Sequence, residues 1–147
     1  MLNSFITLNK QMFINYLEGP KHKLVAIMKI MVVDDSITFQ LLMSRELEAI
    51  LGEGHEILKI KTGAMAITTY SKFLPDFVTM DVVMGSVDGI EASRRIGEKH
   101  PDAKILVVTS HKQEEARTKE IDVIKGFIVK PIDRDELKAA LRNIKVL

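Results

Sequence analysis

Four short polar groups each end an apolar run. Asp34-Asp35 follows Met31-Val32-Val33, Asp81 follows Phe77-Val78-Thr79-Met80, Thr109-Ser110 follows Val107-Val108, and Lys130-Pro131 follows Phe127-Ile128-Val129. Three carboxylates brought close together would repel and raise one another's pKa unless a cation intervened. A hard divalent ion with oxygen ligands, Mg2+ above all, resolves that repulsion and leaves positions open for phosphate oxygens. The Lys130 ammonium and the Thr109 hydroxyl would add a cation and a donor for a phosphoryl group, whose transfer needs positioning and charge neutralisation above all. A carboxylate nucleophile such as Asp81 could carry that group as an aspartyl phosphate.

Each group also has a plainer use. Asp34-Asp35-Ser36 could cap the first helix, Thr109 or Ser110 the fourth, and Asp81 could be a solvated turn acid. Lys130-Pro131 could be an ordinary strand exit, with Pro131 barring further pairing. Their joint placement at four strand ends favours a shared site.

The elements that must position these groups are legible in the hydrophobic pattern. Strand-like runs occur at Met28–Val33, Glu56–Ile60, Phe77–Met80, Lys104–Val108 and Gly126–Val129, and Pro75 precedes the third. Helix-length stretches follow at Ile37–Leu51, Ala64–Phe73, Ile90–Lys99, Lys112–Ile121 and Arg134–Ile144. Asp88 with Glu91, Ser110 with Gln113 and Asp133 with Glu136 have capping-box spacing. Gly52 and Gly54 close the first helix and Pro101 follows the third.

Five strands alternating with five helices call for a doubly wound α/β fold, a parallel sheet covered on both faces. Strands one, three, four and five are apolar enough for interior positions, whereas the second, more polar and partly alternating, suits an edge. Ligands in such sheets bind at the carboxyl edge, where all four polar groups would lie.

Composition narrows the partners. A chain of 147 residues can bury the core of one domain. A net charge of +1 offers no basic stripe for nucleic acid. The absence of cysteine excludes disulfides and thiolate metal sites. No apolar run can span a bilayer, and no secretion signal is evident. No nucleic-acid or membrane partner is therefore expected, and a cytoplasmic protein is.

Residues 1–27 form an N-terminal extension ahead of a domain at 28–147. Phe5, Ile6, Met12, Phe13, Tyr16 and Leu17 fall near helical spacing before Gly19-Pro20 breaks the pattern. The extension could be a docking helix; a loosely attached segment, or upstream sequence translated ahead of a natural start at Met28, is favoured.

From about Met28 onward the sequence resembles the receiver domains of bacterial two-component response regulators. The resemblance rests on Val32-Val33-Asp34-Asp35-Ser36, Met80-Asp81-Val82-Val83-Met84 with Asp88-Gly89, Val107-Val108-Thr109-Ser110, and Gly126-Phe127-Ile128-Val129-Lys130-Pro131. It implies a flavodoxin-like sheet of order 2-1-3-4-5. It also implies that Asp81 accepts a phosphoryl group from a phosphohistidine on a sensor histidine kinase or phosphotransfer protein. Asp35, Asp81 and the Val83 carbonyl would bind Mg2+, with Asp34 contributing directly or through water. Lys130 would pair with phosphoryl oxygens, Thr109 would move to bond them, and Phe127 would turn inward behind it. A cis Lys130-Pro131 bond is implied too.

The same resemblance implies no turnover of a separate substrate, only self-phosphorylation and dephosphorylation. Output would come through phosphorylation-dependent binding of a downstream protein, by the surface around the fourth helix, fifth strand and fifth helix. A chemotaxis role and a phosphorelay shuttle fit equally.

Two positions depart from the family pattern. Gly85 stands where the family usually has proline, and it loosens that loop. Val83 cannot hydrogen-bond an attacking water, so a long-lived phosphorylated form is expected; His111 is read as an exposed helix-start residue. A phosphatase of the haloacid dehalogenase type fits less well, because its Asp-x-Asp pair follows the first strand and here the acids are adjacent. A flavin module fits poorly, since Asp34-Asp35 would repel a flavin phosphate. A degenerate adaptor is disfavoured by the retained acids, Thr109 and Lys130.

Overall fold

Alternating strand residues serve two separate cores. The computed structural model describes residues 26–147; the amphipathic stretch before Gly19-Pro20 lies outside them. Strands β1 (Lys29–Val33), β2 (Glu56–Ile60), β3 (Phe77–Met80), β4 (Ile105–Thr109) and β5 (Ile124–Val129) form one parallel sheet in the order β2-β1-β3-β4-β5. Helices α1 (Ile37–Leu51) and α5 (Arg134–Asn143) cover one face, with Met43, Leu47, Leu137 and Leu141 packed on Ile30, Val32, Phe77 and Ile128. Helices α2 (Gly63–Phe73) and α3 (Gly89–Lys99) cover the other, with Ala66, Tyr70 and Ile96 against Met31, Val33, Val78 and Met80. The period of two along a strand divides Ile30 and Val32 from Met31 and Val33. Each large side chain so buried contributes roughly 2 kcal/mol, which makes the strand ends a rigid platform.

The expected architecture and strand order are both present. Side-chain caps at Ser36, Asp88 and Asp133 accept from the amides of Phe39, Glu91 and Glu136. Thr62 caps α2 in the same way. At α3 only half of the expected box forms, because the Glu91 carboxylate turns to Arg94 and Arg95 instead.

Two expectations are corrected. The helix expected over Lys112–Ile121 is a 3-10 turn, Lys112–Glu114, followed by a single α turn, α4 (Glu115–Thr118). Ser110 does not cap it: the turn starts at His111 without a side-chain cap, and Thr109 Oγ1 accepts the His111 N–H. Within this segment only Thr118 is buried, so it lacks the apolar stripe that holds most helices in place. The second concerns β5, whose apolar sequence suits an interior position but which takes the edge that the expected strand order gives it. Of its residues only Ile128 is fully buried.

Candidate functional site

The strand register alone brings two of the acids together. Val33 of β1 lies opposite Met80 of β3, and the Asp81 N–H donates to the Val33 carbonyl at 2.9 Å. Asp34 and Asp81 therefore leave the sheet side by side. On the far side of β4, the Lys130 N–H donates to the Thr109 carbonyl at 2.9 Å, which carries the lysine past the same edge. The Lys130-Pro131 bond is cis.

Side chains close the cluster. Lys130 Nζ donates to Asp34 Oδ2 at 2.7 Å and stands 3.5 Å from Asp81 Oδ2. Asp34 is 1% exposed, and its second oxygen accepts the Ser36 N–H at 2.8 Å. Asp81 Oδ1 accepts the Val82 N–H at 2.8 Å. Asp35 is exposed at the rim. Each of Asp34, Asp35 and Asp81 offers an oxygen, and the three oxygens lie within 4.8 Å of one another. An all-oxygen acidic donor set of this kind suits Mg2+ and not a thiophilic metal.

Val83, Thr109 and Phe127, also expected at the site, lie outside this bonded set among the described residues. Val83, expected there through its carbonyl, is 52% exposed. Thr109 is fully buried with its hydroxyl turned to its own loop, accepting the His111 N–H at 3.2 Å. Phe127 is half-buried beside Val82, Ile90 and Val107.

Residues 30–142 match the response regulator receiver domain family. The chain belongs to that family.

The receiver is 35% identical over 118 residues to the chemotaxis protein CheY of Halobacterium salinarum, covering 79% of this chain and 95% of that one. It is 34% identical over 119 residues to the protein CcdB of Bacillus subtilis, with 79% and 96% covered. Among solved structures it is similar to the response regulator TrrA of Thermotoga maritima in complex with Mg2+ and BeF. That match has a TM-score of 0.71 and 28% identity over 80% of this chain and 99% of that one. As a receiver, the chain is a module of two-component, phosphorylation-dependent signalling. No helix among the described residues is long and apolar enough to cross a membrane.

Electrostatics mark Asp81 within the receiver. Burial pushes its carboxyl above the ordinary range; Lys130 and the Val82 N–H pull it down, and the Asp34 charge pushes it up. A carboxyl whose folded-state pKa is raised contributes stability in full below its unfolded value, about 3.9, and loses it as pH rises through the folded value. Ionised Asp81 thus destabilises the apo fold near neutrality. Asp81→Asn is expected to raise the Tm in chelator at neutral pH by about 3 °C, the scale of ~1 kcal/mol in a domain of this size. The gain should shrink as pH falls toward about 4. An equal or lower Tm for the variant at neutral pH would contradict this origin of the shift.

Two glycines shape the loop after Asp81. Gly85 has φ +57°, a conformation closed to proline, whose ring holds φ near −65°. The loop therefore takes a path that the family's usual proline could not follow. At Gly89, the first residue of α3, an added Cβ would lie 1.8 Å from the Asp81 carbonyl oxygen.

Sequence reasoning missed Gln40 altogether. Buried on α1, its amide donates to the carbonyls of Asp34 at 2.7 Å and Ile60 at 3.0 Å, bolting the Asp34 loop to β2. A signal was available: Gln40, Met43, Ser44 and Leu47 fall on one helical stripe, and a polar residue on such a stripe needs a buried partner.

Proposed function

We propose that Asp81 accepts a phosphoryl group from a phosphohistidine of a sensor histidine kinase or phosphotransfer protein. The observation that supports this best is the joint placement of three carboxylate oxygens within 4.8 Å with the Lys130 ammonium between Asp34 and Asp81. That the similar TrrA was solved with Mg2+ and BeF is in keeping with it.

Asp35, Asp81 and the Val83 carbonyl, with Asp34 directly or through water, would hold Mg2+. Bound there, the ion would neutralise the gathered negative charge and offer coordination positions to phosphoryl oxygens. The remaining work belongs to the chain. An Asp81 carboxylate oxygen attacks phosphorus, and the new O–P bond forms as the P–N bond to the donor imidazole breaks. The electron pair of that bond stays on the imidazole nitrogen. Lys130 stabilises the charge on the transferring oxygens, as preorganised cations do in phosphoryl transfer.

Thr109 and Phe127 would then report the event. Once phosphoryl oxygens compete for its hydroxyl, Thr109 gives up the His111 N–H, and the half-buried Phe127 moves into the space behind it. Such a change shifts the population between two packings. A downstream protein reads the shift on the surface of α4, β5 and α5. The receiver proper spans 28–147, with residues 1–27 an extension ahead of it, and acts in the cytoplasm.

Incubation with acetyl phosphate and Mg2+, followed by intact mass measurement, tests the proposal. The wild-type chain should gain the mass of one phosphoryl group, Asp81→Asn should gain none, and chelation of Mg2+ should suppress the gain. Equal labelling of wild type and Asp81→Asn would overturn it.

A further inference from the structure

The Lys130 ammonium has a neighbour that the acid cluster does not explain. Its Nζ lies 3.7 Å from the centroid of the Phe39 ring, on the face of the ring. That face carries the negative part of the ring quadrupole and attracts a cation. The same ammonium donates to Asp34 at 2.7 Å and stands 3.5 Å from Asp81. Two carboxylates and one ring face thus surround a single nitrogen.

The position of Phe39 follows from how α1 starts. Ser36 Oγ accepts the Phe39 N–H at 3.2 Å, which sets Phe39 in the first turn. Helical side chains lean toward the helix N-terminus, here toward the carboxyl edge of the sheet. The ring is anchored as well, since it packs against the core shared by α1 and α5. A half-buried aromatic in the first turn would be unremarkable on packing grounds alone. Its contact with a charged group that also faces two acids calls for a further role.

We propose that Phe39 is a positioning residue: it holds the Lys130 ammonium between Asp34 and Asp81 through the face of its ring. The contact itself stands on geometry; its consequence for phosphoryl uptake rests on the function proposed above. Lysine is a point charge on a flexible four-carbon stem. Asp34 alone fixes one of its N–H directions and leaves the stem free to pivot. The ring removes that freedom, so that the ammonium already stands beside Asp81 when a phosphoryl group arrives. Leucine would fill much of the same apolar space without the quadrupole, and tyrosine would keep both.

Two measurements on Phe39→Leu and Phe39→Tyr test the proposal. In metal-free protein, ring currents should shift the Lys130 ε-methylene protons upfield in wild type and Phe39→Tyr, but not in Phe39→Leu. With acetyl phosphate and Mg2+, phosphoryl uptake should slow about fivefold in Phe39→Leu, the size of a partly desolvated cation–π contact. Phe39→Tyr should stay within about twofold of wild type, since its ring face remains. Unshifted ε-methylene protons in the wild-type protein would overturn the proposal, and so would wild-type uptake by Phe39→Leu. Should the wild type itself take up no phosphoryl group, it is the proposed function that fails, and the ring-current comparison alone decides the place of Phe39.

Discussion

Gly89→Ala is expected to lower stability by on the order of 3 kcal/mol, the upper end for overpacking, and the Tm by roughly 10 °C. The methyl carbon would fall 1.8 Å from the Asp81 carbonyl oxygen and 2.8 Å from its carbonyl carbon. Both are backbone atoms of the strand exit, which no side-chain rotation can relieve. The Gly89 N–H also donates to the Val82 carbonyl at 2.8 Å, so the helix start cannot retreat without losing that bond. The start is further fixed by Asp88, which caps the Glu91 N–H through one oxygen and takes Arg117 through the other. Thermal melts of Gly89→Ala and Gly97→Ala separate this close approach from the loss of any helical glycine. At Gly97 an added Cβ would meet only the Val123 side chain, at 3.0 Å. Equal effects at the two positions would contradict the role given to Gly89.

Lys130→Met is expected to be nearly as damaging, and in a way that conditions can reverse. The substitution keeps an apolar stem but removes the cation beside Asp34 and Asp81, both of them buried. Breaking a buried ion pair costs about 3–5 kcal/mol when the stranded charge is fully desolvated. Lys130 retains some solvent contact, its side chain 16% exposed, so about 2 kcal/mol in chelator is the expected loss. The penalty is that of two acids left facing each other. Mg2+ should largely remove it by supplying the missing positive charge. Phosphoryl uptake is a separate matter and should fall roughly a hundredfold even in Mg2+, since the oxygens in flight lose a preorganised donor. Melting curves of wild type and Lys130→Met, in chelator and in Mg2+, read the first effect. A variant that melts with the wild type in chelator would show that the lysine does not offset the acids.

The sequence made the platform legible because buried strands need apolar runs and their ends need polar groups. Asp34, Asp81 and Lys130 fall on one edge from the sequence pattern alone, since parallel strands all point the same way. What stayed hidden depends on contacts between distant segments. Nothing local says that Gly89 passes under the Asp81 carbonyl, or that the Phe39 ring meets an ammonium on another strand. The strand β5 looked interior because Phe127, Ile128 and Val129 are apolar, yet that end of the sheet is open and two of the three keep some exposure. The fourth helix was overestimated because Lys112-Gln113-Glu114-Glu115-Ala116-Arg117 has good helix formers, while too little of it is buried to hold the segment in a regular helix.

The identity of the nucleophile is the claim on which everything else turns. It can be read by treating the phosphorylated wild-type protein with borohydride, which reduces an acyl phosphate to the alcohol, and sequencing the peptides by mass spectrometry. Homoserine at position 81 alone is the expected result. Homoserine at 34 or 35, or a phosphoryl group recovered on a histidine or hydroxyl side chain, would contradict the account.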